Sequence, residues 1–201
     1  ENASLHNLRS VSCRIPKGVL TCVTGVAGSG KSSLIGEVFL SAHPEAIRID
    51  QTAITGNSRS TPASYIGVFD LIRKEFAAAT GKKPGLFSFN SDGGCPKCGG
   101  SGFLSVEMSF LDDVRMLCDV CGGKRYNEAA LAAGYRGRDI SQALEMTPNE
   151  AADFFTTKEI SRRLRVLSEV GLDYIGIGQP LSTLSGGECQ RLKLATELHK
   201  K

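Results

Sequence analysis

The chain has 201 residues, 41% of them hydrophobic and 22% charged, with a formal net charge of +3. That composition fits a soluble globular protein of one large or two small domains, and a charge this small does not by itself point to nucleic acid. No apolar run approaches the roughly 18 residues a membrane-spanning helix needs, and Glu1-Asn2-Ala3-Ser4 carries neither the basic nor the apolar part of a signal peptide, so a cytoplasmic setting is expected.

Residues 8–15 are rich in β-branched and apolar side chains and end at the turn signal Pro16-Lys17-Gly18, which predicts a strand. Residues 19–24 read as a second, more buried strand feeding a glycine-rich loop, and residues 32–40 as the helix after it. Residues 46–49 form a short third predicted strand ending at Asp50-Gln51, and residues 52–63 are polar and loop-like. Residues 65–79 carry apolar side chains at 68, 69, 71, 72 and 76, a helical period stopped by Gly81 to Pro84. Composition changes near residue 85. Glycines then crowd residues 90–102, and the alternation over 103–110 predicts a strand. Thr147-Pro148-Asn149-Glu150 is a capping box with proline at the first helical position. Residues 158–170 repeat apolar side chains at 160, 164, 167 and 170 before the stop signal Gly171, and residues 188–199 form a last predicted helix.

Gly25-Val26-Ala27-Gly28-Ser29-Gly30-Lys31-Ser32 fits G-x-x-x-x-G-K-[ST], between a predicted strand and a predicted helix. A triphosphate needs several backbone N–H donors crowded together, and Gly25, Gly28 and Gly30 allow the positive φ and close approach this requires. Lys31 is expected to reach the β- and γ-phosphates and the Ser32 hydroxyl to hold Mg²⁺. Ser29 and Ser33 complete a nucleotide site over residues 25–33. The plain alternative is a glycine-rich turn with a chance lysine.

Cys95, Cys98, Cys118 and Cys121 form C-x₂-C-x₁₉-C-x₂-C, a spacing that can close a tetrahedral Zn²⁺ site with no open position and hence a structural role. Two disulfides or an iron–sulfur cluster are the alternatives. Four thiolates around Zn²⁺ leave two net negative charges, which Lys97, Lys124 and Arg125 could offset. Cys13, Cys22 and Cys189 are isolated and read as packing residues. Lys158, Arg162, Arg163 and Arg165 form a basic cluster that is either a nucleic-acid patch or a solvated helix face.

Leu184-Ser185-Gly186-Gly187-Glu188 opens the last helix. Capping alone explains Ser185 and Glu188, but not Gly186, Gly187 or the following Gln190-Arg191. Bare N–H groups at a helix start fit a γ-phosphate contact made across an interface.

The phosphate loop together with LSGGECQRLKLA resembles the ABC ATPases. The likeness is closer to the C-terminal half of the UvrA family, and it runs in that family's order. Its carriers are Leu20-Thr21-Cys22-Val23-Thr24-Gly25-Val26, Tyr65-Ile66-Gly67-Val68-Phe69-Asp70, Phe87-Ser88-Phe89-Asn90, Val106-Glu107-Met108-Ser109-Phe110-Leu111, Cys121-Gly122-Gly123-Lys124-Arg125-Tyr126-Asn127 and Gly176-Ile177-Gly178-Gln179-Pro180. The resemblance implies an α/β fold, with an incomplete P-loop nucleotide-binding lobe over 1–85 and a zinc-stapled, mainly helical signature lobe over 86–201. It implies ATP, Mg²⁺ and Zn²⁺ as cofactors and recognition of damaged double-stranded DNA in nucleotide excision repair. Its implied partners are a second cassette of the same protein, a homodimer copy and an excinuclease subunit, with no membrane.

By the same resemblance Gln51 is the Q-loop residue, and Lys97, Lys124 and Arg125 are candidates for contact with DNA. The family continues into an acidic Walker B strand and a histidine switch that are not visible after residue 191. The expectation is therefore a piece of a second cassette, without a catalytic residue and inactive alone. Ser91-Asp92-Gly93-Gly94 is more acidic than the family's basic run at that point. UvrA-like self-resistance ATPases of antibiotic producers carry the same motifs. Nucleotide kinases with a zinc-stapled lid share the P-loop and the cysteines but have no use for LSGGE.

Overall fold

The structure is a computed structural model that describes residues 2–50, 52, 54, 59–106 and 114–199. The chain divides into two compact units, Glu1–Ile49 and Asp50–Lys201.

In the first unit the phosphate loop runs into a wide π-helix, Ser33–Phe39, and then the single turn α1, Leu40–Ala42. The expected strands at 8–15, 19–24 and 46–49 form no ladder among the described residues; the unit's one antiparallel bridge joins Ala3 and Val11. The reason is partnership. An apolar, β-branched run marks a segment fit for a sheet, but a strand exists only where a neighbour takes up its N–H and C=O groups. Residues 19–24 have no such neighbour among the described residues, and Leu20 is 99% exposed.

The second unit holds α2 (Pro62–Tyr65), α3 (Phe69–Thr80), α4 (Glu128–Leu131), α5 (Ile140–Glu145), α6 (Pro148–Phe154), α7 (Lys158–Glu169) and α8 (Gly186–His199). Short 3-10 turns occupy Pro84–Phe87 and Leu181–Thr183. An antiparallel hairpin pairs β1 (Phe103–Val106) with β2 (Val114–Leu117), Phe103 opposite Leu117. The remainder of the strand expected over 103–110 lies outside the described residues. The helix expected over 65–79 is α3, which starts later, at Phe69, because the chain turns left-handed at Gly67 with φ +72° after α2 ends at Tyr65.

Local chemistry sets most helix starts. Thr61 with Ser64, Asp139 with Gln142 and Thr147 with Glu150 are reciprocal capping boxes, and Pro62 and Pro148 stand where a missing N–H costs nothing. The helices then bury one continuous core. α7 contributes Ile160, Leu164 and Leu167, α3 contributes Ile72 and Phe76, and α8 contributes Leu192. Phe76, Phe87, Phe89 and Tyr126 are the largest buried side chains and pack ring against ring at 5–6 Å. Burying each such side chain stabilises the fold by about 1.5–3 kcal/mol. The three arginines of the basic cluster pair within this unit: Arg162 and Arg163 with Glu159, and Arg165 with Asp153.

Candidate functional site

Residues 28–33 and Asn7 line a cleft of about 240 Å³ at the phosphate loop. Gly25, Gly28 and Gly30 all have positive φ, at +154°, +75° and +89°. At Gly30 space is also decisive, because an added Cβ would sit 2.7 Å from the Leu8 side chain and 3.0 Å from Asn7 Oδ1. Lys31 Nζ donates to the carbonyls of Gly25 and Val26, each at 2.8 Å, which holds the ammonium over the loop. Ser29 N donates to Val26 O at 3.3 Å and tightens the turn. Ser32 and Ser33 begin the helix, whose positive end faces the loop. Asn7 Nδ2 donates to Gly28 O, a brace that no sequence pattern marked. Gln51 lies outside the described residues. Its neighbours Asp50 and Thr52 are both clasped by Lys193 of α8, at 2.8 Å to Asp50 Oδ1 and 2.6 Å to Thr52 O. The Lys193 ammonium holds the Asp50 carboxyl well below the usual carboxylate range.

Ser185, Gly186 and Gly187 are exposed, and nothing lies within 4 Å of a Cβ built on either glycine. The turn is nonetheless rigidly built. Ser185 N and Oγ donate to Glu188 Oε2 at 2.6 and 2.8 Å. Tyr174 Oη donates to Glu188 Oε1 at 2.6 Å and accepts from Arg191 Nη2 at 3.0 Å. These bonds, led by that from Tyr174, hold the Glu188 carboxyl below its ordinary value. The capping box was legible in S-x-x-E and Arg191 stood out beside it; the brace from Tyr174 was not legible, because that contact depends on the loop between α7 and α8.

The four cysteine sulfurs lie within 4.8 Å of one another, with Cys95–Cys118 at 3.9 Å and Cys98–Cys121 at 3.7 Å. Four ligands at about 2.3 Å around one tetrahedral ion require sulfurs about 3.8 Å apart. Disulfides require about 2.0 Å, and all four thiols are free. The donor set thus fits a single thiophilic ion. The two knuckles lie side by side: Cys95 N donates to Arg125 O at 2.9 Å and Cys118 N to Gly102 O at 3.0 Å, while within the first knuckle Gly102 N donates to Cys98 Sγ at 3.3 Å. Gly100 cannot be replaced, since a Cβ there would lie 1.7 Å from Phe89 O. Burial pushes the Cys121 thiol up to about 12. At Cys98 burial acts the same way, but the N–H of Gly102 and the neighbouring sulfurs outweigh it and bring the thiol to about 7. A bound cation would hold all four as thiolates.

Lys97 and Lys124 are exposed around this cluster, Lys97 paired with Asp119 at 2.7 Å. Arg125 is 8% exposed. Its guanidinium stacks 3.6 Å from the Phe89 ring centroid and donates to Gly100 O and Arg59 O.

A glycine-rich loop running into a helix and a bare-amide helix start are together what an ATP-binding cassette is expected to carry. The ABC transporter family model matches residues 8–201, and the chain belongs to that family. Within the family it is of the UvrA type. It is 47% identical to UvrABC system protein A of Aquifex aeolicus over 229 aligned residues, covering 99% of this chain and 25% of that protein. It is 44% identical to UvrABC system protein A of Methanothermobacter thermautotrophicus, covering 99% of this chain and 24% of that protein. The crystal structure of UvrA2 from Deinococcus radiodurans superposes with a TM-score of 0.86 at 42% identity, covering 98% of this chain and 27% of that one. The chain therefore has the ABC nucleotide-binding fold and spans about a quarter of the length of these relatives. No helix among the described residues is long and apolar enough to cross a membrane.

Proposed function

We propose that the chain is the ATP-binding, zinc-containing part of a UvrA-type ATPase that recognises damaged DNA in nucleotide excision repair. The observation that carries this reading is the pairing of a phosphate cradle with an exposed, rigidly capped Ser185 turn in one chain. Gly25, Gly28, Ser29, Gly30, Lys31, Ser32 and Ser33 bind ATP and Mg²⁺, with Gln51 as the Q-loop sensor of Mg²⁺ and γ-phosphate. Ser185, Gly186 and Gly187 present their N–H groups to the nucleotide of an opposing cassette, in the same protein or a homodimer copy, and Glu188 fixes their direction. Bound ATP supplies the phosphoanhydride; the residues here neutralise and orient its phosphates.

Zn²⁺ at Cys95, Cys98, Cys118 and Cys121 staples the second part of the chain, and we retain residues 1–85 and 86–201 as the nucleotide and signature lobes. Lys97 and Lys124 face solvent beside the knuckles and are suited to DNA phosphates rather than bases. Arg125 contributes through the shape of the knuckle that carries them. An excinuclease subunit is the further partner, in the cytoplasm and without a membrane.

The test is ATP binding by the zinc-loaded chain and its Lys31→Ala variant. Charge-assisted bonds of this kind contribute about 1.5–3 kcal/mol, so the variant should bind ATP-Mg²⁺ roughly ten- to a hundredfold more weakly with zinc content unchanged. Equal affinities would contradict the assignment of the loop.

A further inference from the structure

We propose that Arg125 is a positioning residue that bolts the metal knuckle to the polypeptide leading into the Ser185 turn, so that the two sites cannot shift independently. The proposal rests on the reading of Ser185, Gly186 and Gly187 as phosphate-facing, but not on any nucleic-acid role of the knuckle.

Arg125 follows the second Cys-x-x-Cys-Gly-Gly unit and has φ +73°, a left-handed conformation that an arginine rarely adopts. That backbone places its carbonyl on Cys95 N at 2.9 Å, joining the two knuckles. The side chain turns inward. Its Nε donates to Gly100 O at 3.0 Å in the first knuckle, and its Nη2 donates to Arg59 O at 3.1 Å. The plane between these bonds lies over Phe89, whose ring packs on Phe69 and Tyr126 in the core.

The segment after Arg59 is itself the clamp on the signature approach. Ser60 O accepts from Leu181 N at 2.8 Å, and Ala63 N donates to Ile177 O at 2.9 Å. Leu181 opens the 3-10 turn that delivers Leu184 and Ser185. One guanidinium thus bonds the knuckle on one side and the strap holding the signature approach on the other. Lysine cannot replace it, because a single ammonium cannot span Gly100 O and Arg59 O while stacking flat on Phe89. Burial lowers the Arg125 pKa to about 10, so the guanidinium stays charged at neutral pH, and a metal-loaded four-thiolate cluster beside it would favour that charge further.

The experiment is residue-resolved amide hydrogen exchange on the zinc-loaded chain, comparing the parent with Arg125→Lys and Arg125→Gln, with zinc per chain measured in parallel. Loss of the Arg59 bond should loosen Ser60, and Leu181 N–H should exchange about tenfold faster, as expected for one lost hydrogen bond. Ile177 and Gly178 N–H, which donate to Met146 O and Leu144 O at the end of α5, should keep their rates. Arg125→Lys keeps the charge and should keep the zinc, and it decides the matter if Arg125→Gln fails to fold. Uniform acceleration of all three amides, as a merely structural residue would give, overturns the proposal; so does unchanged protection of Leu181. Neither measurement involves ATP or DNA, so failure of the bolt is distinguishable from failure of the proposed function.

Discussion

Glu75 illustrates how much of this fold rests on single polar groups inside the second unit. Its Oε1 accepts from Tyr135 Oη, Thr156 N and Thr156 Oγ1 at 2.7–2.8 Å, and its Oε2 accepts from Thr157 N at 3.2 Å. One carboxylate thus satisfies the start of α7 and ties it to α3. Burial raises its pKa, but the bonds from Thr157, Thr156 and Tyr135 outweigh that and hold it below the ordinary 4.5. A depressed folded value means that the unfolded chain takes up the proton first on acidification. The contribution is therefore complete above about pH 4.5 and is lost as pH falls below it. Glu75→Gln should cost on the order of 1 kcal/mol at neutral pH, after allowance for solvent screening, and should flatten the acid side of a melting-temperature profile. A variant that melts with the parent's pH dependence would show that Glu75 is not the group responsible. Nothing in the sequence around Glu75 marked it, because its partners lie 60 to 82 positions away. Lys31 and Ser185 were legible for the opposite reason, since their chemistry requires neighbours a few positions away, and the four cysteines because each half of their site is a local Cys-x-x-Cys pair.

At the scale of elements, the same distinction separates what could be read from what could not. α6 and α7 were visible in a capping box and an apolar period, both local properties. The strands over 8–15, 19–24 and 46–49 were read from composition, which cannot say whether a partner strand is present, and they form no ladder among the described residues. α4 and α5 carry no apolar period, because four- and six-residue helices are too short to show one. With zinc at the four cysteines, as proposed, the hairpin β1–β2 and its flanking knuckles should depend most on the metal. Outside the sulfur cluster they bury little apolar surface of their own, Leu104 being the hydrophobic side chain packed against it. Chelation of zinc, or Cys118→Ser, should therefore release the hairpin while leaving the core of α3, α6 and α7 folded. The expected signature is loss of amide protection at Cys118 and Gly122 with retained helical circular dichroism. Cooperative loss of all secondary structure on chelation would show instead that the metal holds the whole second unit.

At the scale of the molecule, the proposed arrangement gives the chain one half of each of two nucleotide sites. In the proposed arrangement each active site needs a phosphate loop from one cassette and a Ser185-type turn from another. The chain alone should accordingly bind ATP-Mg²⁺ and turn it over slowly. Rapid turnover that does not rise with protein concentration would mean that one chain completes its own site. The chain also spans about a quarter of its UvrA relatives, and the proposed opposing surface belongs to a second cassette of a proposed two-cassette protein.

The most direct test is hydrogen exchange at Gly186 and Gly187 in that two-cassette protein, with and without a hydrolysis-resistant ATP analogue. Exchange should slow at both glycines together with residues 25–33 when nucleotide saturates. Protection of the phosphate loop with no change at Gly186 and Gly187 would contradict the central claim that these bare amides grip a nucleotide.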